Sequence, residues 1–339
     1  MLIFLINILV FQILISFIIL YISIKKNLVD NPDYRKIHLL PTPYTGGLIL
    51  GITYIFIIYI SDFNDKSLNS ILAYGLIICL TGFIDDRYNV RPGTKILLQA
   101  IPIFFLIDQS LYLNDLGNYE IFGTIELGSV NKIFTFLCCL LLINAFNYTD
   151  GIDGLLCLIS IIIILSFSFF LFLTSEFSNY DNLIILSFPL IIFLFFNFGF
   201  VEKFKIFLGD SGSNFLGFKI AFLAIYLYEI KDVHPALIVW PLAYIVYEFL
   251  SVTILRILRN EGTFKAGRDH LHYEITNYYN VSYTYSLIII LIFNLLLIGL
   301  GTFIFTYFGP DYSILLFISL FTIYLFTKFQ IQKKTNNKF

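Results

Sequence analysis

Charge is what this sequence has least of. Only 13% of its 339 residues are Asp, Glu, Lys or Arg, against about 25% in an average soluble protein. A large soluble domain is excluded on that ground. No basic run suggests nucleic acid, and a net charge of −2 adds no argument for it. Cysteine is scarce: Cys79, Cys138, Cys139 and Cys157 all lie within apolar runs and form no C-x-x-C pair, so zinc and disulfides are unsupported. The N-terminus has no basic n-region, no short apolar core and no small-residue cleavage site. It reads as a retained first span, with Lys25 and Lys26 following it, and not as a signal peptide.

What is abundant is apolar. Hydrophobic residues make up 58% of the chain, 39 of them Phe. The fold class expected is an all-α, polytopic integral membrane protein. Eleven helical spans are predicted, at about 2–24, 46–61, 68–84, 94–108, 131–147, 154–174, 183–200, 213–229, 236–257, 283–308 and 312–328. They form one domain over 1–339. An odd count places the termini on opposite faces. Loops on the C-terminal side carry 17 Lys and Arg, while the opposite loops carry only Lys66, Lys132 and Lys231. Positive charge marks the cytoplasmic side, so the N-terminus is expected outside and the C-terminus in the cytoplasm. The segment 109–129 alternates polar and apolar residues and is expected to form a small outer hairpin.

Four polar signatures fall on the predicted cytoplasmic face: FIDDRYNVRPG, NYTDGIDG, FLGDSGSN and AGRDHLHY. The cytoplasmic loops concerned span about 25–46, 85–95, 147–154, 201–213 and 257–282. An acid at a span end usually just meets water. Here Asp85, Asp86, Asp150, Asp153 and Asp210 gather at one membrane depth, and such a cluster repels itself unless a cation sits among them. Oxygen ligands of this type suit Mg²⁺ or Mn²⁺. If a helix starts near Asp150, its carboxylate and that of Asp153 share a face; alternatively Asp150 only caps that helix. Backbone N–H groups around Gly209–Ser213 could receive phosphate at a helix N-terminus. His270 and His272, beside Arg268, read as donors to phosphate; they share a face only in extended chain. Arg256 and Arg259 read alternatively as headgroup anchors, and Glu248, the one acid well inside a span, as a structural partner within the bundle.

Together these residues describe a carboxylate–Mg²⁺ centre beside a cationic loop, suited to polyanionic substrates, one of them a lipid. The alternative is an ion-coupled transporter of nucleotide-linked or lipid-linked sugars, which would be expected to hold its charges near the midplane.

In order along the chain, NPDYRKIHLLPTPYTGG, DDR, NAFNYTDGIDG, FLGDSGS and DHLHY resemble the polyprenyl-phosphate N-acetylhexosamine-1-phosphate transferases, glycosyltransferase family 4. The resemblance implies a Mg²⁺-dependent phosphoglycosyltransferase of the bacterial cytoplasmic membrane, with its active site on the cytoplasmic face. It would transfer an N-acetylaminosugar 1-phosphate from a UDP-sugar to undecaprenyl phosphate and release UMP, initiating a surface glycan such as O-antigen, capsule or teichoic acid. By the same resemblance Asp210 is a metal ligand, and Asn147, Asp150 and Asp153 line the nucleotide and metal site. Asp85 and Asp86 orient the lipid phosphate, with Asp85 as a proposed base, and Phe207 stacks on uracil. Lys36, His38, Arg268, His270 and His272 would contact substrate. Implied partners are the UDP-sugar, the polyprenyl phosphate, the bilayer and, as an option, a second copy of the chain. The sequence departs from the family pattern at Tyr273, which stands where a histidine is usual, and at Leu39, which stands where a lysine is usual. The absence of a triple histidine argues against a MurNAc-pentapeptide donor.

Overall fold

The computed structural model describes residues 2–32, 40–61, 65–174, 180–262, 267 and 269–336. The chain is mostly helical: α1 (Leu2–Lys25), α2 (Gly46–Ile60), α3 (Lys66–Tyr88), α4 (Pro92–Asp108), α5 (Asn131–Thr149), α6 (Leu155–Leu173), α7 (Tyr180–Phe198), α8 (Gly209–Glu229), α9 (Pro235–Leu258), α10 (Leu271–Tyr279), α11 (Tyr283–Phe308) and α12 (Pro310–Asn336). Among the described residues, eleven of these helices have 15 or more residues, each over one expected span. Eight are long and apolar enough to cross a membrane. The other three are α2, of 15 residues, α4, of 17, and α8, whose first turns are Gly, Asp, Ser and Asn. The chain is a multi-pass membrane protein.

These apolar runs form helices because a bilayer leaves no water to satisfy backbone N–H and C=O groups. Their ends carry conventional signals. Asp65 caps α3 by accepting from the N–H groups of Ser67 and Leu68, and Ser282 caps α11 from Tyr285. Large apolar side chains point outward all along α1, α11 and α12, among them Leu14, Phe17, Leu296, Phe303, Ile318 and Phe326. A surface of that kind suits contact with lipid tails.

The centre of the bundle is α8. It is buried almost continuously from Ser211 to Leu227 and packs against α2, α3, α5, α6 and α9. Lipid tails are as apolar as Leu, so helix association in a bilayer relies on close backbone approach at small residues. Gly47 of α2 meets the start of α8 so closely that a Cβ there would lie 2.2 Å from Gly212 N. Gly82 of α3 meets the Asp210 carbonyl, where a Cβ would lie 2.4 Å from the oxygen. Deeper in α8, Lys219 Nζ donates to the Tyr54 hydroxyl at 2.6 Å and lies 4.0 Å from that ring's centroid.

Two short sheets complete the fold. Antiparallel β1 (Val29–Asp30) and β2 (Thr42–Pro43) sit beside the α2 entry. The expected hairpin is present, with β3 (Asp115–Tyr119) antiparallel to β4 (Gly123–Glu126). Its turn is pinned by Asp311 at the start of α12, which accepts from the Glu120 and Ile121 N–H groups at 2.9 Å each.

Candidate active site

The polar signatures FIDDRYNVRPG, NYTDGIDG and FLGDSGSN meet at the common end of α3, α5 and α8. Asp86, in the last turn of α3, accepts from the Asp210 N–H at 3.1 Å and the Ser211 N–H at 3.2 Å. These are two of the donors that a helix N-terminus leaves unpaired. The junction expected to offer them to phosphate is therefore already capped by a carboxylate, and α8 begins at Gly209 instead of 213. Gly209 makes this start possible: its φ of +72° and its approach to the Tyr44 carbonyl and Asp86 Oδ2 leave no room for a side chain.

Asp210 is held from two sides. Asn147 Nδ2 donates to its Oδ1 and to Ser213 Oγ, both at 2.9 Å. Lys95 Nζ lies 2.7 Å from Asp210 Oδ2 and 2.7 Å from Asp85 Oδ2. Asp85 Oδ1 accepts from the Val90 N–H at 2.9 Å. In the sequence, Lys95 is one of the 17 Lys and Arg of the C-terminal-side loops and reads only as a topology charge. The question already posed by the acid cluster, which cation sits among them, was the signal that could have found it.

The DGIDG loop does not start a helix. Asp150 ends α5, and α6 starts at Leu155 after Gly154, whose φ is +79°. The expectation that Asp150 and Asp153 share a helix face, or that Asp150 caps α6, is thus corrected. A close turn intervenes, fixed by the Gly151 N–H on the Thr149 carbonyl at 2.8 Å and the Gly154 N–H on Asn197 Oδ1 at 2.7 Å. Asp153 pairs with Lys205 at 2.6 Å, and Lys205 Nζ also lies 5.2 Å from the Phe207 ring centroid. Phe207 is tied to the sheet strand by its N–H on the Pro43 carbonyl at 2.7 Å.

Asp150 is different from its neighbours. No described residue pairs with or donates to its carboxylate. Burial, then the charges of Asp210 and Asp153, push it up to about 8. Among the described residues no three Asp, Glu, His or Cys side chains converge as a ready-made ion site. Asp150, flanked by the charges of Asp153 and Asp210, is nevertheless the donor chemistry that a hard divalent cation fits.

The histidine segment closes the other side. His270 stands in extended conformation before α10, and its ring lies parallel to that of His272, with centroids 5.7 Å apart. The His272 ring presses on the DGIDG loop: a Cβ on Gly151 would lie 2.1 Å from its Nε2. Both ring nitrogens of His272 are buried without a hydrogen-bond partner among the described residues. Burial, then the charge of His270, pulls the ring down to about 3, so it is neutral at physiological pH. Arg256 forms a two-point pair with Asp269, at 2.8 and 2.6 Å, and is no headgroup anchor. Burial would raise Asp269, but the Arg256 hydrogen bonds and charge hold it below the ordinary carboxylate value. Lys36, His38 and Arg268 lie outside the described residues.

Residues 68–228 match the family model described as Glycosyl transferase family 4. The undecaprenyl-phosphate alpha-N-acetylglucosaminyl 1-phosphate transferase of Escherichia coli strain K12 is 28% identical over 281 residues, covering 80% of this chain and 75% of that protein. Its namesake in Salmonella typhi is 27% identical over 328 residues, or 94% and 89% of the two chains. A probable undecaprenyl-phosphate N-acetylglucosaminyl 1-phosphate transferase of Bacillus subtilis is 28% identical over 272 residues, or 77% and 73%.

Proposed function

Because the chain belongs to glycosyl transferase family 4, we propose that it transfers an N-acetylaminosugar 1-phosphate from a UDP-sugar to undecaprenyl or another polyprenyl phosphate. An oxygen of the lipid phosphate attacks the β-phosphorus of the donor. A new P–O bond forms there, the bond from that phosphorus to the bridging oxygen breaks, and UMP leaves with the electron pair. The observation that carries this reading is the meeting of Asp85, Asp86, Lys95, Asn147 and Asp210 at one end of the bundle. A lipid headgroup and a polyanionic nucleotide sugar can both reach that position. A transporter of the same ligands would instead keep its charges near the midplane.

Asp85 reads better as a positioning group than as a base. Its two oxygens are committed to Val90 and Lys95. A phosphate monoester loses its second proton near about pH 6 and is mostly deprotonated at about pH 7, so a base gains little there. Lys95 is suited to orient the attacking phosphate while offsetting the charges of Asp85 and Asp210. Asp150, Asp153 and Asp210 are the residues that would hold Mg²⁺. The ion would supply charge neutralisation on the diphosphate, a main contributor in phosphoryl transfer. Phe207 offers a face to uracil, and Arg268, His270 and His272, with Lys36 and His38, would meet the diphosphate or the sugar. The unpartnered nitrogens of His272 support that assignment.

The setting we infer is the bacterial cytoplasmic membrane, with all eleven long helices crossing, the N-terminus outside and the site facing the cytoplasm. The product would initiate a surface glycan. The test is purified protein in lipid nanodiscs with undecaprenyl phosphate, a panel of UDP-N-acetylaminosugars and either MgCl₂ or EDTA. UMP release with one donor, abolished by EDTA, is expected. No UMP with any donor, and unmodified lipid phosphate, would sink the reading.

A further inference from the structure

The last helix reaches the histidine segment through buried charge. Glu248 of α9 and Lys328 of α12 are 1% and 2% exposed and lie 2.7 Å apart, with Lys328 Nζ donating to both carboxylate oxygens. Glu248 Oε1 also accepts from the Leu271 N–H at 2.9 Å, which caps the first turn of α10. The same oxygen lies 3.4 Å from His270 Nδ1. Tyr324 donates to Glu248 Oε2 at 2.5 Å. One turn beyond Lys328, Gln332 Nε2 donates to Glu274 Oε1 at 2.6 Å, and Lys328 lies 3.5 Å from Glu274 Oε2. Tyr324, Lys328 and Gln332 are spaced four apart and so share one face of α12.

A buried ion pair is a poor investment for stability alone, since desolvation offsets most of the attraction. This one has a second effect, because it also reaches His270, Leu271 and Glu274 at the start of α10. Glu248 lies close to Nδ1 of His270 without a hydrogen bond, so its hold on the segment runs through the Leu271 N–H. His272, two residues on, lies against Gly151 next to Asp150. We propose that Glu248 and Lys328 are positioning residues: through them α12 locks the N-terminus of α10, so that His270 and His272 are held against the acid loop. This rests on the proposed transfer reaction for its effect on turnover, but the lock itself does not.

Removing Lys328 alone strands a buried carboxylate and endangers folding. The test variant is therefore the pair Glu248→Gln/Lys328→Met, with Lys328→Arg as conservative rescue. In nanodiscs, amide exchange over Leu271–Ile275 is expected to rise about tenfold in the pair variant and to return toward wild type in Lys328→Arg. In the UMP assay, kcat is expected to fall about tenfold with KM for polyprenyl phosphate unchanged. That loss is expected to vanish in a His270→Ala background, because the same side chain is already gone. Phe326→Ala, on the lipid face of α12, is expected to do neither. Unchanged exchange in the pair variant overturns the lock. Raised exchange with unchanged kcat, or a loss that adds in full to His270→Ala, overturns the positioning role. If the wild type turns over no donor, the transfer reading fails, and exchange alone judges the lock.

Discussion

Lys95 does at this site what a divalent ion is usually invoked to do: it stands between two carboxylates, Asp85 and Asp210, that would otherwise repel. Lys95→Met is expected to cost about 10²–10³-fold in kcat, the scale of losing one preorganised charge at a reacting phosphoryl group, and to lower the melting temperature, because Asp85 and Asp210 lose the cation between them. Asp210→Asn is expected to lose nearly all turnover. Asp85→Asn separates two accounts of its residue. If Asp85 only positions, the defect is equal at about pH 6 and about pH 9; a defect that tracks pH restores the base. His272 gives a stability prediction with a definite sign. Its ring sits near 3 in the fold because of burial and then the charge of His270, with Lys328 adding and Glu248 opposing. The unfolded ring titrates near about 6.5. Between those values the unfolded chain binds the extra proton, so stability falls as pH drops through that window. Melting curves between about pH 7 and pH 4 are expected to flatten in His272→Phe.

The elements meet through residues too small to notice in a hydropathy plot. Gly47→Ala would place a methyl against the Ser211–Gly212 backbone. The expected cost is about 1–3 kcal/mol, read as a lower melting temperature, since α2 and α8 cannot separate without moving Asp210. Helix positions were legible in the sequence because long apolar runs are the strongest pattern a chain offers. The ends were not. Nothing local in GDSGSN says that Asp86, over a hundred residues earlier, caps the helix at Gly209. The DGIDG turn is set by Asn197 and by the His272 ring, both distant in sequence. The helix α10 went unforeseen because its nine residues, LHYEITNYY, lack an apolar run and are held by Glu248. The acids Asp85, Asp86, Asp150, Asp153 and Asp210 were legible as a group from their common depth. Lys95 and Lys205 were hidden among lysines that signal only topology, and Lys328, counted with them, turns out to be buried inside the bundle.

At the scale of the whole molecule, the charge asymmetry predicts a topology that cells can report. In intact cells, a membrane-impermeant maleimide is expected to label Thr124→Cys on the exposed β4 strand. Glu261→Cys, exposed just beyond α9, should react only after permeabilisation. The opposite pattern would overturn the orientation. The pair that joins α12 to the histidine segment also bears on how the protein is made. Chains are synthesised from the N-terminus, and α12 follows every other element of the bundle. The acid loops can therefore assemble on the ribosome while Glu248 still waits for Lys328. Until α12 inserts, a nascent chain would hold its carboxylates together but leave α10 unlocked, and would turn over only at the reduced rate of the pair variant.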